Sequence, residues 1–220
     1  MKKWINLRIK FTGGIGEYSK RSWLDLFVID KVYRHLNKKY KYDYIANRFH
    51  RRSADDADGH QVSFLYFIDE DMISKIKRSF KNNATMKLLK QEGYVDHISF
   101  IEGDRINIKD TSDPNWLSIT QSAFVVYIMS VCDMIMVMLE TLRDGYEITD
   151  KINYKDIDDI KKYYKYADSV LGYYLGRDGC HAYLHHLRAV FGYHPIPVRL
   201  TFKQRLKILF TFKKWIPFKF

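Results

Sequence analysis

Cysteine is scarce in this chain. Only Cys132 and Cys180 occur in 220 residues. Two lone cysteines and the absence of an export signal at Met1-Lys2-Lys3-Trp4 point to a reducing, cytoplasmic setting. A continuous membrane-length apolar run is also missing. The longest, Ala123 to Leu139, is interrupted by Ser130 and Asp133 and is short for a bilayer span, so it reads as a buried core helix. Acidic residues stop at Asp178, while Arg188, Arg199, Lys203, Arg205, Lys207, Lys213, Lys214 and Lys219 follow. The formal net charge of +11 therefore sits largely in the last fifth of the chain. Such a field draws anions, whether nucleic acid, an anionic membrane face or an acidic peptide, and charge alone does not choose among them. There is no internal repeat, low-complexity stretch or clear linker.

The missing parts of several motifs exclude several chemistries. Gly14-x-Gly16 follows a strand, but the third glycine of a dinucleotide loop is absent, so no nucleotide is expected there. His181 and His185 have the i, i+4 spacing of two zinc ligands. No glutamate lies between them as in HExxH and no acid follows, so a metal is not expected. Arg188 and His194 give the Arg-x5-His spacing of HEPN-type ribonucleases. Gly192 and Pro195 place that histidine at a helix end, and nucleic acid is not the expected partner.

What is present is periodic. Trp4 to Phe11 alternates, with Asn6, Arg8 and Lys10 on one side of a strand. Trp23 to Leu36 has helical spacing and starts at Ser22. Tyr42 to Phe49 and Gln61 to Ile68 form a strand pair around the turn containing Asp55, Asp56, Asp58 and Gly59. Asp71 to Leu89 is helical with a break near Asn82-Asn83, and Val95 to Glu102 is a strand. Helices follow over Ser118 to Leu142, Ile157 to Leu175 and His181 to Phe191. Phe202 to Trp215 is basic and amphipathic. We read this tail as a final packed helix, with peripheral membrane contact over 199–220 as its alternative. The order is β-α-β-β-α-β followed by helices. The class is α+β: a ferredoxin-like mixed sheet over 1–110 and a mainly helical half over 111–220, in one domain spanning 1–220.

The histidines His181, His185, His186 and His194 lie beside Arg188 among aromatics, a setting suited to proton abstraction near neutral pH. Several segments together resemble a known family. They are the opening WINLRIKF, the pair YDYIANRF and DGHQVSFLYF, the strand HISFIEGD, and the closing GCHAYLHHLRAVFGY. In this order they resemble the lantibiotic dehydratase C-terminal domain family, also called the thiopeptide-type bacteriocin biosynthesis domain. The resemblance implies a cofactor-free lyase of ribosomally made peptide biosynthesis, eliminating glutamate from glutamylated Ser or Thr. Its stand-alone relatives imply a [4+2] cyclisation of dehydrated peptide instead. Matched by motif, Arg48 and His60 fall on substrate-binding positions, His185 or His186 on the base, and Gly192 on the closing glycine. Arg51, Arg52 and Arg188 are added as anion-binding groups. Two arginines of the family's strand pair are replaced by Val62 and Phe64, or by Ser63 and Leu65. That loss favours a non-catalytic peptide-binding scaffold as the alternative. The implied partners are an acidic leader or precursor peptide and a dehydratase that performs the glutamylation.

Overall fold

The β1 strand, Lys2–Phe11, shows how alternation becomes a layer. Ile5, Leu7, Ile9 and Phe11 are buried on one face, whereas Asn6, Arg8 and Lys10 take the other. In the computed structural model, which describes residues 1–13, 21–52, 59–144, 156–179 and 190, β1 is an inner strand of a four-stranded sheet. Its neighbours are β2 (Tyr44–Arg52), β3 (Gln61–Asp69) and β4 (Val95–Glu102), in the order β2-β3-β1-β4. β1 pairs with β3 from Lys2↔Asp69 to Lys10↔Gln61, and with β4 from Ile5↔Glu102 to Lys10↔His97.

The chain is α+β, with the sheet in its N-terminal half. The order fits the ferredoxin-like expectation, but every pairing is antiparallel, so the sheet is not mixed. The reason is topological. Each helical crossover skips a strand, so the co-directional strands β1 and β2 have β3 between them, and β3 and β4 have β1 between them.

The first crossover is α1 (Trp23–Val28), a π-helical turn at Ile29–Tyr33, and α2 (Arg34–Lys39). Leu24, Phe27, Val28, Val32 and Leu36 are all buried, as their spacing predicts. Ser22 precedes α1 without capping its backbone; its hydroxyl donates instead to Asp168 Oδ2 at 2.6 Å. The second crossover is α3 (Ile73–Asn82) and α4 (Ala84–Gln91). It breaks at the predicted place because Asn83 is extended and its side chain accepts from the Thr85 N–H. These helices cover the face of Leu7, Phe64 and Tyr66 and enclose the main core.

The later helices are α5 (Ser118–Asp144) and α6 (Ile157–Tyr174). Here the expectation of a buried core helix over Ala123 to Leu139 is corrected. On α5 only Val125, Cys132, Met136 and Leu139 are buried, a single stripe. Ile119 is 78% exposed, Val126 68% and Val137 60%. The helix crosses the β2 edge and gives the core only one stripe of its surface. Val125 packs with Trp4, Ala46, Leu65 and Phe67 on one face of the sheet. Met136 and Leu139 join the main core on the other. Between them the Phe49 N–H donates to Cys132 Sγ at 3.4 Å, which caps an edge that would otherwise be open to pairing. By length and composition α5 is apolar enough to span a bilayer.

The chain divides into two compact units, Met1–Tyr173 and Tyr174–Phe220. The first holds the sheet and its helices. In the second, residues 175–179 form a π-helical turn. The expected helix His181 to Phe191, apart from position 190, and the basic tail 199–220 lie outside the described residues, as do Gly14, Gly16 and the turn at Asp55, Asp56 and Asp58.

Candidate functional site

Which arginines reach which face is decided at Ile45. Tyr44 pairs with Ile68 and Ala46 with Phe67, so Ile45 is an extra residue, a β-bulge. Beyond it, Arg48, His50 and Arg52 point away from the helical core, and Asn47, Phe49 and Arg51 toward it. Rows then form across four strands. Arg48 stands in line with Leu65, Asn6 and Ile101, and His50 with Ser63, Arg8 and Ser99. Arg52 is in line with Gln61, Lys10 and His97. These three rows contain five basic side chains besides Arg8 and no carboxylate.

A cleft of about 200 Å³ opens on this face, lined among others by Trp4, Asn6, Arg8, Leu65, Ile101 and Arg105. Among the described residues, Asn6 Oδ1 and Arg8 Nε in the cleft, and Arg48 Nε and Gln61 Nε2 elsewhere on this face, are buried without a hydrogen-bond partner. Further buried polar atoms without a partner, Tyr33 Oη and Asn47 Nδ2 among them, lie toward the helix-covered side, and each such atom costs free energy unless water or a ligand meets it. Arg48 is fixed by donating from Nη2 to the Thr111 carbonyl at 2.9 Å, and its guanidinium lies 5.4 Å from the Phe124 ring centre. Burial lowers its pKa, and the charge of Arg105 acts in the same direction. A negative charge beside it would act in the opposite direction.

Arg51 and His60, also expected to bind substrate, turn to the helix-covered face. Asp25 on α1 is fully buried and receives them both: His60 Nε2 lies 2.6 Å from Asp25 Oδ1, and Arg51 Nε donates to Asp25 Oδ2 at 3.0 Å. Arg51 Nη2 donates to Asp168 Oδ1 at 2.8 Å, and Ser22 holds the other oxygen of that carboxylate. This network joins β2, the start of β3, α1 and α6. A second buried carboxylate, Asp30 in the π turn, accepts from Arg34 Nε at 2.8 Å and the Tyr164 hydroxyl at 2.7 Å.

The structure thus brings Arg48 and Arg52 to one face and Arg51 and His60 to the other. His185, His186 and Arg188 lie outside the described residues. Among the described residues no three His, Cys, Asp or Glu side chains converge as a metal site requires. Sequence reasoning missed Arg8, Lys10 and Arg105 as site residues and Asp25 and Asp168 as the partners of Arg51. A carboxylate at Asp25, between Leu24 and Leu26 on an otherwise apolar helix, was the available signal. Comparison with protein-family models, with curated proteins and with solved structures finds no match to this chain.

Proposed function

We propose that this protein binds an acidic peptide on the cationic face of its sheet and acts in the cytoplasmic modification of a ribosomally made peptide. The observation that carries the reading is the set of unpartnered buried polar atoms on Asn6, Arg8, Arg48 and Gln61, in rows rich in cations and free of carboxylates. Guanidinium groups match carboxylates in geometry and charge, and the net charge of +11 favours encounter with an acidic segment. The reaction we favour is elimination of glutamate from glutamylated Ser or Thr. A base, His185 or His186, takes the α-proton, the Cβ–O bond breaks, and glutamate leaves as a carboxylate that cations receive. A dehydratase partner would supply the glutamylated peptide. A [4+2] cyclisation of dehydrated peptide would use the same grip.

One observation favours the scaffold alternative, binding without chemistry. Arg51 and His60 are engaged by Asp25, which leaves fewer cations for a leaving group. Mass spectrometry of a glutamylated precursor peptide incubated with the full chain separates the readings. Loss of the glutamate mass with a dehydrated residue is the expected result for elimination. Binding with no mass change selects the scaffold. No binding of acidic peptide ends the whole reading. A salt-steep affinity for RNA in its place would point to the nucleic-acid class.

A further inference from the structure

We infer that a second, separate groove, between α2 and α3, binds a small ligand carrying two or more phosphates. The groove is open to solvent and has a volume of about 660 Å³. It shares no residue with the sheet-face cleft. Two helical stripes converge on it. His35 and Lys39 are one turn apart at the end of the first crossover. Lys75 and Ser79, and Arg78 and Asn82, are each one turn apart on α3. Tyr40 holds the two walls in place by donating its hydroxyl to the Lys75 carbonyl at 3.0 Å.

The charges in this groove are not balanced within it. No Asp or Glu lines it. Lys39 Nζ donates to a neutral acceptor, the Ser79 hydroxyl, at 3.3 Å, and Lys75 Nζ lies 3.3 Å from the Met72 sulfur. Among the described residues, Arg78 and His35 make no ion pair. Three solvent-exposed cations and an exposed imidazole therefore face one concave volume with only neutral partners. Such a site concentrates anions. A single carboxylate would neutralise one of the three. A pyrophosphate unit has both the charge and the spread of acceptor oxygens to engage cations on both walls, with Ser79 and Asn82 supplying neutral donors.

The test is calorimetric titration of the full chain with inorganic pyrophosphate. Binding is expected, weakening roughly tenfold or more in the Lys75→Ala/Arg78→Ala double variant, as loss of charge-assisted contacts implies. Lys39→Glu, on the other wall, should weaken it at least as much, so the result does not depend on the folding of one variant. Lys162→Ala, exposed on α6 and in neither cleft, should leave it unchanged. The inference is overturned if pyrophosphate does not bind, or if the double variant and Lys39→Glu, both folded by circular dichroism, bind as well as the parent. A ten-nucleotide RNA that binds through Lys75 and Arg78 where pyrophosphate does not would also overturn it, because the phosphate source would then be a polymer.

Discussion

The imidazole of His60 and the carboxylate of Asp25 meet at 2.6 Å in an interior where Asp25 has no exposed surface. Arg51 closes on the second oxygen of that carboxylate. A buried charge with its partners in place is tolerated, but one stripped of a partner is costly. Asp25→Asn should therefore lower unfolding stability by roughly 3–5 kcal/mol, measured by urea titration near neutral pH. A loss under about 1 kcal/mol would show that the charge of Asp25 does not hold the network together.

Alkaline lability should follow from four buried or part-buried acids. Burial raises the phenols of Tyr33 and Tyr66 well above their ordinary value, raises Tyr44, and pushes the Cys132 thiol up to about 11. Each is a group whose folded pKa exceeds its unfolded one. Its contribution is fully present below the unfolded value and is lost as pH rises through the folded value. For Cys132 the window runs from 9.0 to about 11. The urea midpoint should hold between pH 7 and 8.5 and fall by pH 10.5. A flat profile to pH 10.5 would contradict the burial of these groups.

The same thiol should be inert in the native state. With a pKa of about 11, only about one Cys132 in a thousand is thiolate at pH 8. Alkylation mapped by peptide mass spectrometry should modify Cys132 slowly in buffer and readily in urea. Fast native labelling at Cys132 would mean that the α5–β2 contact opens easily.

One-sided packing of α5 gives a paired test. Leu139→Ala should cost about 2–5 kcal/mol because it empties core space. Val137→Ser, two residues away and 60% exposed, should stay within about 0.5 kcal/mol. Equal costs would show that the outer face of α5 is covered too.

For the proposed peptide site, Arg8→Ala and Arg48→Ala should each weaken binding of an acidic peptide about tenfold and flatten its salt dependence. Arg48→Lys should not restore affinity, because an ammonium cannot reproduce the planar guanidinium that lies over Phe124.

Much of the fold was legible because period and punctuation agreed. The alternation of Trp4 to Phe11, the Asn82-Asn83 break and the strand Val95–Glu102 all stand where the residues put them. The misreading of α5 has a plain cause. Its composition is apolar all round, and periodicity cannot say how much of such a helix finds a partner. The candidate site was legible only in part. Arg48 and Arg52 stand out in the sequence, but Arg8 and Lys10 read as the wet side of a strand. Whether that side stays wet depends on what covers it, which is tertiary information. Arg51 was indistinguishable from Arg52 in the sequence, since both sit at the end of the same strand.

The bulge at Ile45 has a consequence for how this strand tolerates change. β2 is read in two frames, and Ile45 is the comma between them. Its removal would leave a regular ladder in which Tyr44 and every residue from Ala46 onward keep their present sides. Removal of Asn47 would shift the frame downstream of it. Arg51 would swing out beside Arg8, Arg48 and Arg52 would turn inward, and Asp25 would lose its guanidinium to a neighbour on the wrong side. The strand can thus shorten at Ile45 without changing its meaning, and one-residue deletions at Ile45 and at Asn47 should differ in effect.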